Sequence, residues 1–420
     1  MAKIYEIRDP VHNFILFRDF ERDLINSQPV QRLKHIKQLA MSYEIYPGAT
    51  HSRFEHSLGT MELATQAFDA ISLREPEAYQ KLGWTEAQRQ TYRQLLRVGA
   101  LLHDIGHPPF SHAPEELLPN GYKWHEDFTQ ALIRSPFIQP LLNMGVATLN
   151  VDQVVAVALG QEKYPQDDPS IQLLQELVAG ELGVDRMDYL VRDALHTGAS
   201  AGRFDYHRLL NTLTVIEHPI NDSPVLAIEA GGLHAAEGLI LARYFMFLQV
   251  YFHDTRRIYD RHLVDFLSEV LTDGRFPKEL DKYLQYTDDW VQLKILDASE
   301  AGRQAELAAR LIGRNHFRRV LEASGNDKVS FPQLAEYVHG QFRDLIRIDE
   351  AEKQAQSIEP EKIYVLGDDG VPRDILEVSE LILMLKPMWR ARVYARRDVQ
   401  AEVARACNEF AAPSETTLNE

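Results

Sequence analysis

The chain has 420 residues, 45% hydrophobic and 25% charged, which is the composition of an ordinary globular protein. Its formal net charge of −17 argues against non-specific nucleic-acid binding, because that binding depends on clustered lysine and arginine side chains. Cys407 is the only cysteine, which excludes an intramolecular disulfide bond and fits a reducing compartment. With neither the apolar segment of a signal peptide nor an apolar run long enough to span a membrane, the sequence predicts a soluble, cytoplasmic protein without a membrane partner.

The N-terminal segment predicts a short β-hairpin followed by a helix. Hydrophobic and polar residues alternate weakly over the first twenty residues, with an Asp-Pro pair and an asparagine between the two halves. From Ser27 onward the spacing becomes helical, because Leu33, Ile36, Lys37 and Ala40 fall on one face. We therefore expect a helix over these residues, before the Tyr-Pro-Gly turn that follows.

Two long helices are predicted next, over about residues 52–72 and 86–104. Gly106 and the pair Pro108-Pro109 end the second helix, since proline cannot continue it and glycine is typical of helix ends. An Asn-Gly turn then precedes a helix that carries His125.

The segment Leu173–Thr197 is strongly amphipathic and has a polar face. The polar residues recur at helical spacing, so they share one face of a helix. Such a face is either a solvated surface or the wall of a polar site. The residues concerned are Asp185, Tyr189, Arg192, Asp193 and His196.

The second half of the chain mixes strands with helices. Ser223–Glu229 is a strand candidate, and the apolar stretch after it predicts one long helix from about Leu233 to Tyr259. Further strand candidates are Glu361–Leu366 and Arg392–Tyr394, and the charged segment Glu352–Pro360 is expected to be a linker or mobile loop.

These elements predict a mainly α protein with two parts. Residues 1–270 form a helical core that includes the N-terminal hairpin, and residues 271–420 form a smaller α+β subdomain.

The sharpest chemical signal is the motif LLHDIGHPPFSH, residues 101–112, at the end of a leucine-rich helix. His103 and Asp104 are adjacent, so their side chains diverge by about 100° on a helix and cannot both be buried on one apolar face. A metal ion near the helix end can use both, because neutral imidazole and carboxylate are ligands of divalent ions. His107 and His112 nearby favour this interpretation over an ordinary hydrogen-bonded pair.

Two further segments complete a set of metal ligands. His56 lies in HSRFEHSLG, residues 51–59, with Arg53 three residues before it. Asp185 leads the acidic helix face, which would by itself more often be a solvated surface. Together with the His-Asp pair they supply two imidazoles and two carboxylates, and this set predicts a divalent metal site.

These three segments, in this order, resemble the HD superfamily of metal-dependent phosphohydrolases, whose signature H…HD…D is matched by His56, His103-Asp104 and Asp185. Further motifs are similar to those of deoxynucleoside triphosphate (dNTP) triphosphohydrolases, a group that includes bacterial dGTPase-like enzymes and the animal enzyme with a sterile-alpha-motif and an HD domain. The resemblance covers about residues 5–210 and implies the HD-domain helical core. The motifs are DPVHNFILF, QRLKHIKQLAMSYEIYPGATHSRFEHSLG, LLHDIGHPPFSHAPE, WHED and VDRMDYLVRDALHTG.

The resemblance implies hydrolysis of dNTPs to a deoxynucleoside and triphosphate, by attack of metal-bound hydroxide on the α-phosphate. The four signature residues would hold the metal, and Mn, Fe, Ni, Zn, Co or Mg can each occupy such a site. His112, oriented by Glu115, corresponds to the general acid for the leaving oxygen, and His107 and His125 line the phosphate site. Relatives assemble as homo-oligomers, so a homo-oligomer is expected.

The resemblance also assigns the substrate contacts. A triphosphate carries several negative charges, which cations must neutralise where bulk water is excluded. The corresponding residues are Arg53 and Arg186 for the phosphates, Tyr189, Asp193 and Gln38 for the sugar and its 3′-hydroxyl, and Leu39, which packs under the sugar and excludes a 2′-hydroxyl.

The sequence departs from the family at several positions. Asn26 and Lys34 stand where purine-activated relatives have an Asp and an Arg that read the activator base, which puts such activation in doubt. Asp254 stands where many relatives have a lysine, and we expect Arg256 or Arg257 to supply the charge instead.

Two other functions fit the same residues. An HD-type nucleotide phosphatase or cyclic-nucleotide phosphodiesterase would use the same metal, although its smaller substrate needs fewer cations. A non-catalytic nucleotide or nucleic-acid binding module is the other alternative, and both the intact ligand set and the acidic balance argue against it. The sequence does not choose the metal, the base or the oligomeric state.

Overall fold

The protein, described from a computed structural model, is a mainly helical core with three small sheets in its described part. The predicted fold class, mainly α with an N-terminal hairpin and a C-terminal α+β part, is therefore confirmed. Among the described residues no helix has the length and apolar character that crossing a membrane requires. The described residues are 3–74, 79, 82–145, 148–219, 223–298, 302–353 and 363–411.

The N-terminal hairpin pairs β1 (Ile4–Asp9) with β2 (Asn13–Arg18) in antiparallel register, as predicted. Asn13 has a φ of 63°, a left-handed conformation that asparagine tolerates better than most residues and that turns the chain. Ile15 on β2 is buried and packs on the helical core, and α1 (Asp19–Ile25) follows the hairpin directly.

The helix predicted to reach Ala40 is wrong. After α2 (Gln28–Arg32) only a single 3₁₀ turn, Leu33–His35, continues the helical path. The backbone of Lys37 instead pairs with Ser52 in an antiparallel β-bridge. These backbone groups find hydrogen-bond partners in a distant segment, and this pairing overrides the helical spacing of the sequence.

In the described part of residues 53–197, six helices pack around one large hydrophobic cluster. The two long helices predicted at 52–72 and 86–104 are confirmed, and the helix after the Asn-Gly turn begins at His125. The amphipathic segment 173–197 is two helices, because the chain turns between Gly180 and Gly183. The six are α3 (Arg53–Arg74), α4 (Glu86–Leu102), α5 (His125–Ile133), α6 (Val151–Lys163), α7 (Pro169–Ala179) and α8 (Val184–Thr197).

The strand predicted at 223–229 is confirmed. After α9 (Tyr206–Leu210), β3 (Leu213–Glu217) pairs with β4 (Pro224–Glu229) in antiparallel register. Residues along both strands are largely buried, so the pair packs against the helical core.

The single helix predicted from Leu233 to Tyr259 is wrong. The structure has α10 (Leu233–Met246), a π-helical turn, and then a separate α11 (Asp254–Val270). The side chain of His253 accepts a hydrogen bond from the N–H of Thr255 at 3.2 Å. This capping bond starts the second helix and is a local signal that hydrophobic periodicity does not reveal.

The C-terminal part combines helices with two sheets. One sheet has the order β3-β4-β7-β8 and the other the order β5-β9-β6. Because β7 pairs in parallel with β4, residues on both sides of position 270 share a sheet, and the division at 270 stays a prediction. The predicted linker at 352–360 lies largely outside the described residues.

The strand candidates near 361–366 and 392–394 are strands. The elements are α12 (Leu280–Tyr283), α13 (Asp288–Asp297), α14 (Gly302–Leu311), β5 (Arg318–Ser324), α15 (Phe331–Phe342), β6 (Ile346–Lys353), β7 (Tyr364–Leu366), β8 (Pro372–Asp374), α16 (Ile375–Val378), α17 (Glu380–Leu383), β9 (Met388–Ala395) and α18 (Gln400–Ala411).

Candidate active site

Three helix ends bring the predicted metal ligands together. His56 lies in the first turn of α3, His103-Asp104 directly after α4, and Asp185 in the first turn of α8. His56 Nε2 is 3.2 Å from His103 Nε2 and 3.0 Å from Asp185 Oδ1. His103 Nε2 is 3.5 Å from both Asp185 Oδ1 and Asp104 Oδ1. Side chains 129 residues apart (185 − 56) therefore converge on one point.

The hydrogen bonds of the two imidazoles fit a cation at this point. His56 Nδ1 is 2.8 Å from Asp188 Oδ2, and His103 Nδ1 is 2.8 Å from the carbonyl of Ala100. Both partners only accept, so in neutral rings each Nδ1 carries the proton and each Nε2 presents a lone pair. Two lone pairs that face each other and two carboxylates are satisfied by a divalent ion.

The charge around His56 points the same way. Burial lowers its pKa, but the hydrogen bonds that the imidazole donates to Asp185 and Asp188, together with the negative charges of these carboxylates, raise the pKa of His56 to about 10. The surroundings that favour a protonated imidazole equally favour a metal cation beside a neutral one.

Asp104 connects the metal ligands to the arginine of the HSRFEH motif. Burial raises the pKa of its carboxyl, yet Arg53 and the neighbouring imidazoles hold that pKa well below its usual range. The Arg53 guanidinium pairs with Asp104 and donates from Nε to Ser111 Oγ at 2.7 Å. Arg53, predicted to contact the α-phosphate, is thus buried beside the ligand set with its hydrogen bonds directed to protein groups.

A buried network behind His56 was missed by the sequence analysis. Asp188 accepts from His56, from His12 Nε2 at 2.6 Å and from Arg192 Nε at 2.9 Å. Arg192 also donates to Asp9 Oδ2 at 2.8 Å and is fully buried, so it belongs to this network and not to a solvated face. The spacing Asp185, Asp188, Arg192 along one helix was the available signal.

Gly59 in α3 makes room for this network. A Cβ atom added there would lie 2.0 Å from Asp188 Oδ1 and 2.3 Å from Arg192 Nη2. Any other residue would displace the carboxylate that orients His56, which explains why a glycine follows one turn after the histidine in HSRFEHSLG.

The four residues predicted to be catalytic form a second cluster next to the metal ligands. Glu115 Oε1 is 2.7 Å from His125 Nδ1, and Glu115 Oε2 is 3.2 Å from His112 Nδ1. The rings of His107 and His125 stack at 3.5 Å, and His107 Nε2 is 3.2 Å from Asp104 Oδ1. The His112 side chain is 57% exposed, whereas the other three are largely buried.

The carboxylate of Glu115 organises this cluster. Burial raises its pKa, but the charges and hydrogen bonds of His112 and His125 lower that pKa strongly, so it is ionised. An ionised carboxylate bound to both Nδ1 atoms orients the two rings and keeps protons on those nitrogens. Burial holds the pKa of His107 well below its usual range, so this ring is neutral.

The residues predicted to bind the sugar lie along α8 and beside it. The Tyr189 ring is 6.4 Å from the His56 ring. Asp193 accepts from Tyr251 Oη at 2.7 Å and lies 2.8 Å from His51 Nε2; both partners were missed from the sequence. Gln38 and Leu39 are buried. Gln38 Oε1 is buried without a hydrogen-bond partner in the part of the chain that the structure describes.

Other predicted cations are engaged elsewhere. Arg186 donates to the carbonyl of Gly180 at 2.7 Å and pairs with Glu181 at 3.0 Å, and Glu181 also pairs with Arg243. Arg256 and Arg257, proposed as substitutes for a missing lysine, pair with aspartates at 3.2 and 2.6 Å. At the positions of the activator contacts, the Lys34 ammonium binds Gln31 Oε1 at 2.7 Å.

Family models identify the class of protein that this site belongs to. The HD domain model matches residues 53–165, and the model of the HD associated region matches residues 204–417. The chain therefore belongs to the HD-domain family of phosphohydrolases, whose HD domains bind divalent metal ions, and it resembles the dNTP triphosphohydrolases of that family.

Individual relatives extend the match over nearly the whole chain. An uncharacterised protein of Methanocaldococcus jannaschii is 31% identical over 93% of this chain and 79% of its own length. A crystal structure of a hypothetical protein from Aquifex aeolicus has a TM-score of 0.80 and 33% identity, covering 96% of this chain and all of its own. The deoxynucleoside triphosphate triphosphohydrolase SAMHD1 homologue of Dictyostelium discoideum is 29% identical over 72% of this chain, which spans 56% of that protein.

Proposed function

We propose that this HD phosphohydrolase cleaves dNTPs at the α-phosphorus and releases a deoxynucleoside and intact triphosphate. The observation that carries the proposal is the contact between two histidine clusters through Asp104. One cluster has the hydrogen bonding of a metal site, and the other has an ionised Glu115 that orients an exposed His112. The names of its dNTP-hydrolysing relatives support the substrate class.

The reaction needs a charged electrophile, a nucleophile and a proton donor in one place. A divalent ion at His56, His103, Asp104 and Asp185 would polarise a phosphate oxygen and lower the pKa of water. Water gives up one proton to solvent and attacks the α-phosphorus, the bond from phosphorus to O5′ breaks, and the proton from His112 Nε2 goes to O5′. Glu115 accepts a hydrogen bond from His112 Nδ1 and so fixes the orientation of the ring for the transfer.

The residues proposed to contact the sugar explain the preference for a 2′-deoxynucleotide. Asp193, held between His51 and Tyr251, offers carboxylate lone pairs to a 3′-hydroxyl. The Tyr189 ring lies 6.4 Å from the His56 ring and 6.3 Å from the Tyr251 ring. We assign the buried Leu39 to the space where a 2′-hydroxyl would stand. A site closed in this way rejects a ribonucleotide by steric exclusion.

Purified protein incubated with each of the four dNTPs and with GTP, against a panel of divalent ions, tests the proposal. Ion-exchange chromatography should show equal amounts of deoxynucleoside and triphosphate from at least one dNTP, and no product from GTP. Release of orthophosphate or pyrophosphate would indicate attack at another phosphorus and a different HD activity. Equal cleavage of GTP would contradict the role of Leu39.

A further inference from the structure

The segment from Leu280 to Asp288 lies behind the catalytic loop, which we define as residues 104–112. Tyr283 Oη donates to the carbonyl of Gly106 at 2.7 Å. Arg32 donates to the carbonyl of His107 at 2.8 Å and, from two nitrogens, to the carbonyl of Tyr286 at 3.0 and 2.7 Å. This segment therefore binds the backbone of the loop that carries His107 and His112.

Asp288, at the end of the segment, binds two parts of the site at once. Its Oδ1 accepts from the backbone N–H of Phe110 at 2.6 Å and its Oδ2 from the N–H of Lys37 at 2.9 Å. The side chain is 2% exposed. One carboxylate thus joins the catalytic loop to the segment that carries Gln38 and Leu39.

The backbone that Asp288 holds is strained. Phe110 and Ser111 have φ values of 58° and 60°, a left-handed conformation that costs each non-glycine residue about 1 kcal/mol or more. The hydrogen bond that Phe110 N–H donates to Asp288 offsets part of this cost, because a buried N–H without a partner would be unfavourable. The conformation places Ser111 Oγ where it donates to the carbonyl of Lys37 at 2.6 Å.

From Ser111 the contacts lead to the metal ligands. Ser111 Oγ accepts from Arg53 Nε at 2.7 Å, and the Arg53 guanidinium pairs with Asp104. A change at Asp288 therefore reaches Arg53 through two hydrogen bonds and a fixed stretch of backbone, although Asp288 touches no metal ligand.

We infer that Asp288 is a positioning residue, which fixes the catalytic loop and the Gln38-Leu39 segment relative to each other for turnover. Burial raises the pKa of Asp288 to about 6, so at pH 8 both oxygens accept. An asparagine has one acceptor oxygen and one NH₂ group, so it can satisfy only one of the two N–H donors. The activity readout rests on the proposed function, but the structural readouts below do not.

Asp288→Asn tests the inference, with Asp289→Asn as its matched control. Asp289 is the next residue, 66% exposed, and bonds only to His35 at 2.6 Å among the described contacts. In Asp288→Asn we expect faster amide exchange in peptides covering 36–39 and 104–112, no change in 86–100, and retained metal content. We expect kcat to fall about 10- to 100-fold, because a displacement of the reacting groups by about 1 Å lowers the rate by this order of magnitude. The change in KM should be smaller. Asp289→Asn should match the wild type throughout.

The outcomes separate this inference from the proposed function. If wild type cleaves no dNTP but the exchange of 36–39 and 104–112 increases in Asp288→Asn, the proposed substrate fails and the positioning role stands. Unchanged exchange and kcat in a folded Asp288→Asn would overturn the inference. If Asp288→Asn does not fold, Ser111→Ala removes the hydrogen bond between Ser111 Oγ and Arg53 instead. A wild-type kcat in Ser111→Ala would equally overturn the inference.

Discussion

The site contains two histidine clusters whose chemistry differs because their hydrogen-bond partners differ. In the metal cluster, His56 and His103 turn Nδ1 toward Asp188 and a backbone carbonyl and direct Nε2 at each other and at carboxylates. In the second cluster, His112 and His125 share Glu115 through Nδ1, and His112 is exposed. The first arrangement concentrates lone pairs on one point, whereas the second binds an exposed ring through its Nδ1 and leaves Nε2 for the proton transfer that we propose. We propose that imidazoles in the same pocket acquire different functions from the groups to which they are hydrogen-bonded.

The largest expected effect comes from emptying the metal cluster. Chelation, or Asp104→Ala, should reduce turnover by about a thousandfold or more, since the ion contributes several kcal/mol to transition-state stabilisation. Steady-state assays with and without a chelator measure this, and added divalent ion should restore the wild type but not the variant. If turnover in excess chelator stayed within tenfold of that of the untreated enzyme, the claim that the first cluster holds an ion needed for turnover would be contradicted.

A substitution in the second cluster should lower activity without removing the metal ion. His112→Gln is expected to lower kcat by roughly 10²- to 10⁴-fold, the range of general-acid catalysis, without loss of bound metal. The loss should shrink for bis(4-nitrophenyl) phosphate, because its leaving group needs no proton. Elemental analysis and parallel assays of both substrates check this. An equal loss on both substrates would argue against proton transfer by His112.

The support behind the metal ligands has a smaller expected effect. Asp188→Asn should weaken metal affinity about 10- to 100-fold, because Asp188 orients His56 and keeps its proton on Nδ1. Titration of the metal-free protein with a divalent ion measures the affinity. Circular dichroism should show a folded variant, and an unchanged dissociation constant would show that the buried network does not tune the metal.

The smallest effect concerns a histidine without a carboxylate partner in the described structure. Whereas His56 has a raised pKa, burial and the charge of Arg318 lower the pKa of His316 to about 4. The unfolded state then binds the proton more tightly, so stability falls as the pH drops from about 6.5 to 4. Denaturant unfolding at pH 7 and at pH 5 measures this effect. Between these two pH values, the free energy of unfolding should fall by about 1–2 kcal/mol more in the wild type than in His316→Gln. Identical losses in both proteins would contradict the shift.

The candidate metal ligands, which the structure brings together, could be picked out from the sequence because they lie in local motifs at helix ends. His103 and Asp104 are adjacent, and their order relative to His56 and Asp185 matches a family signature. The core helices could be predicted for a similar reason, since their hydrophobic spacing is a local property.

The supporting contacts could not be predicted in this way. Asp288 and Phe110 are 178 residues apart, and Asp188 joins His12 across 176 residues. No local pattern encodes such pairs, and a buried carboxylate that accepts backbone N–H groups leaves no motif. The segment around Lys37 was mistaken for helix because its backbone partners, Ser52 and Asp288, lie outside the local sequence pattern.

The most direct test of the account is an anomalous-scattering map of crystals grown with Mn²⁺. We predict one strong peak among His56 Nε2, His103 Nε2, Asp104 and Asp185, at about 2.0–2.2 Å from its nitrogen and oxygen ligands. A peak among His107, His112, Glu115 and His125 with none at the first cluster, or no peak at either, would contradict the central claim.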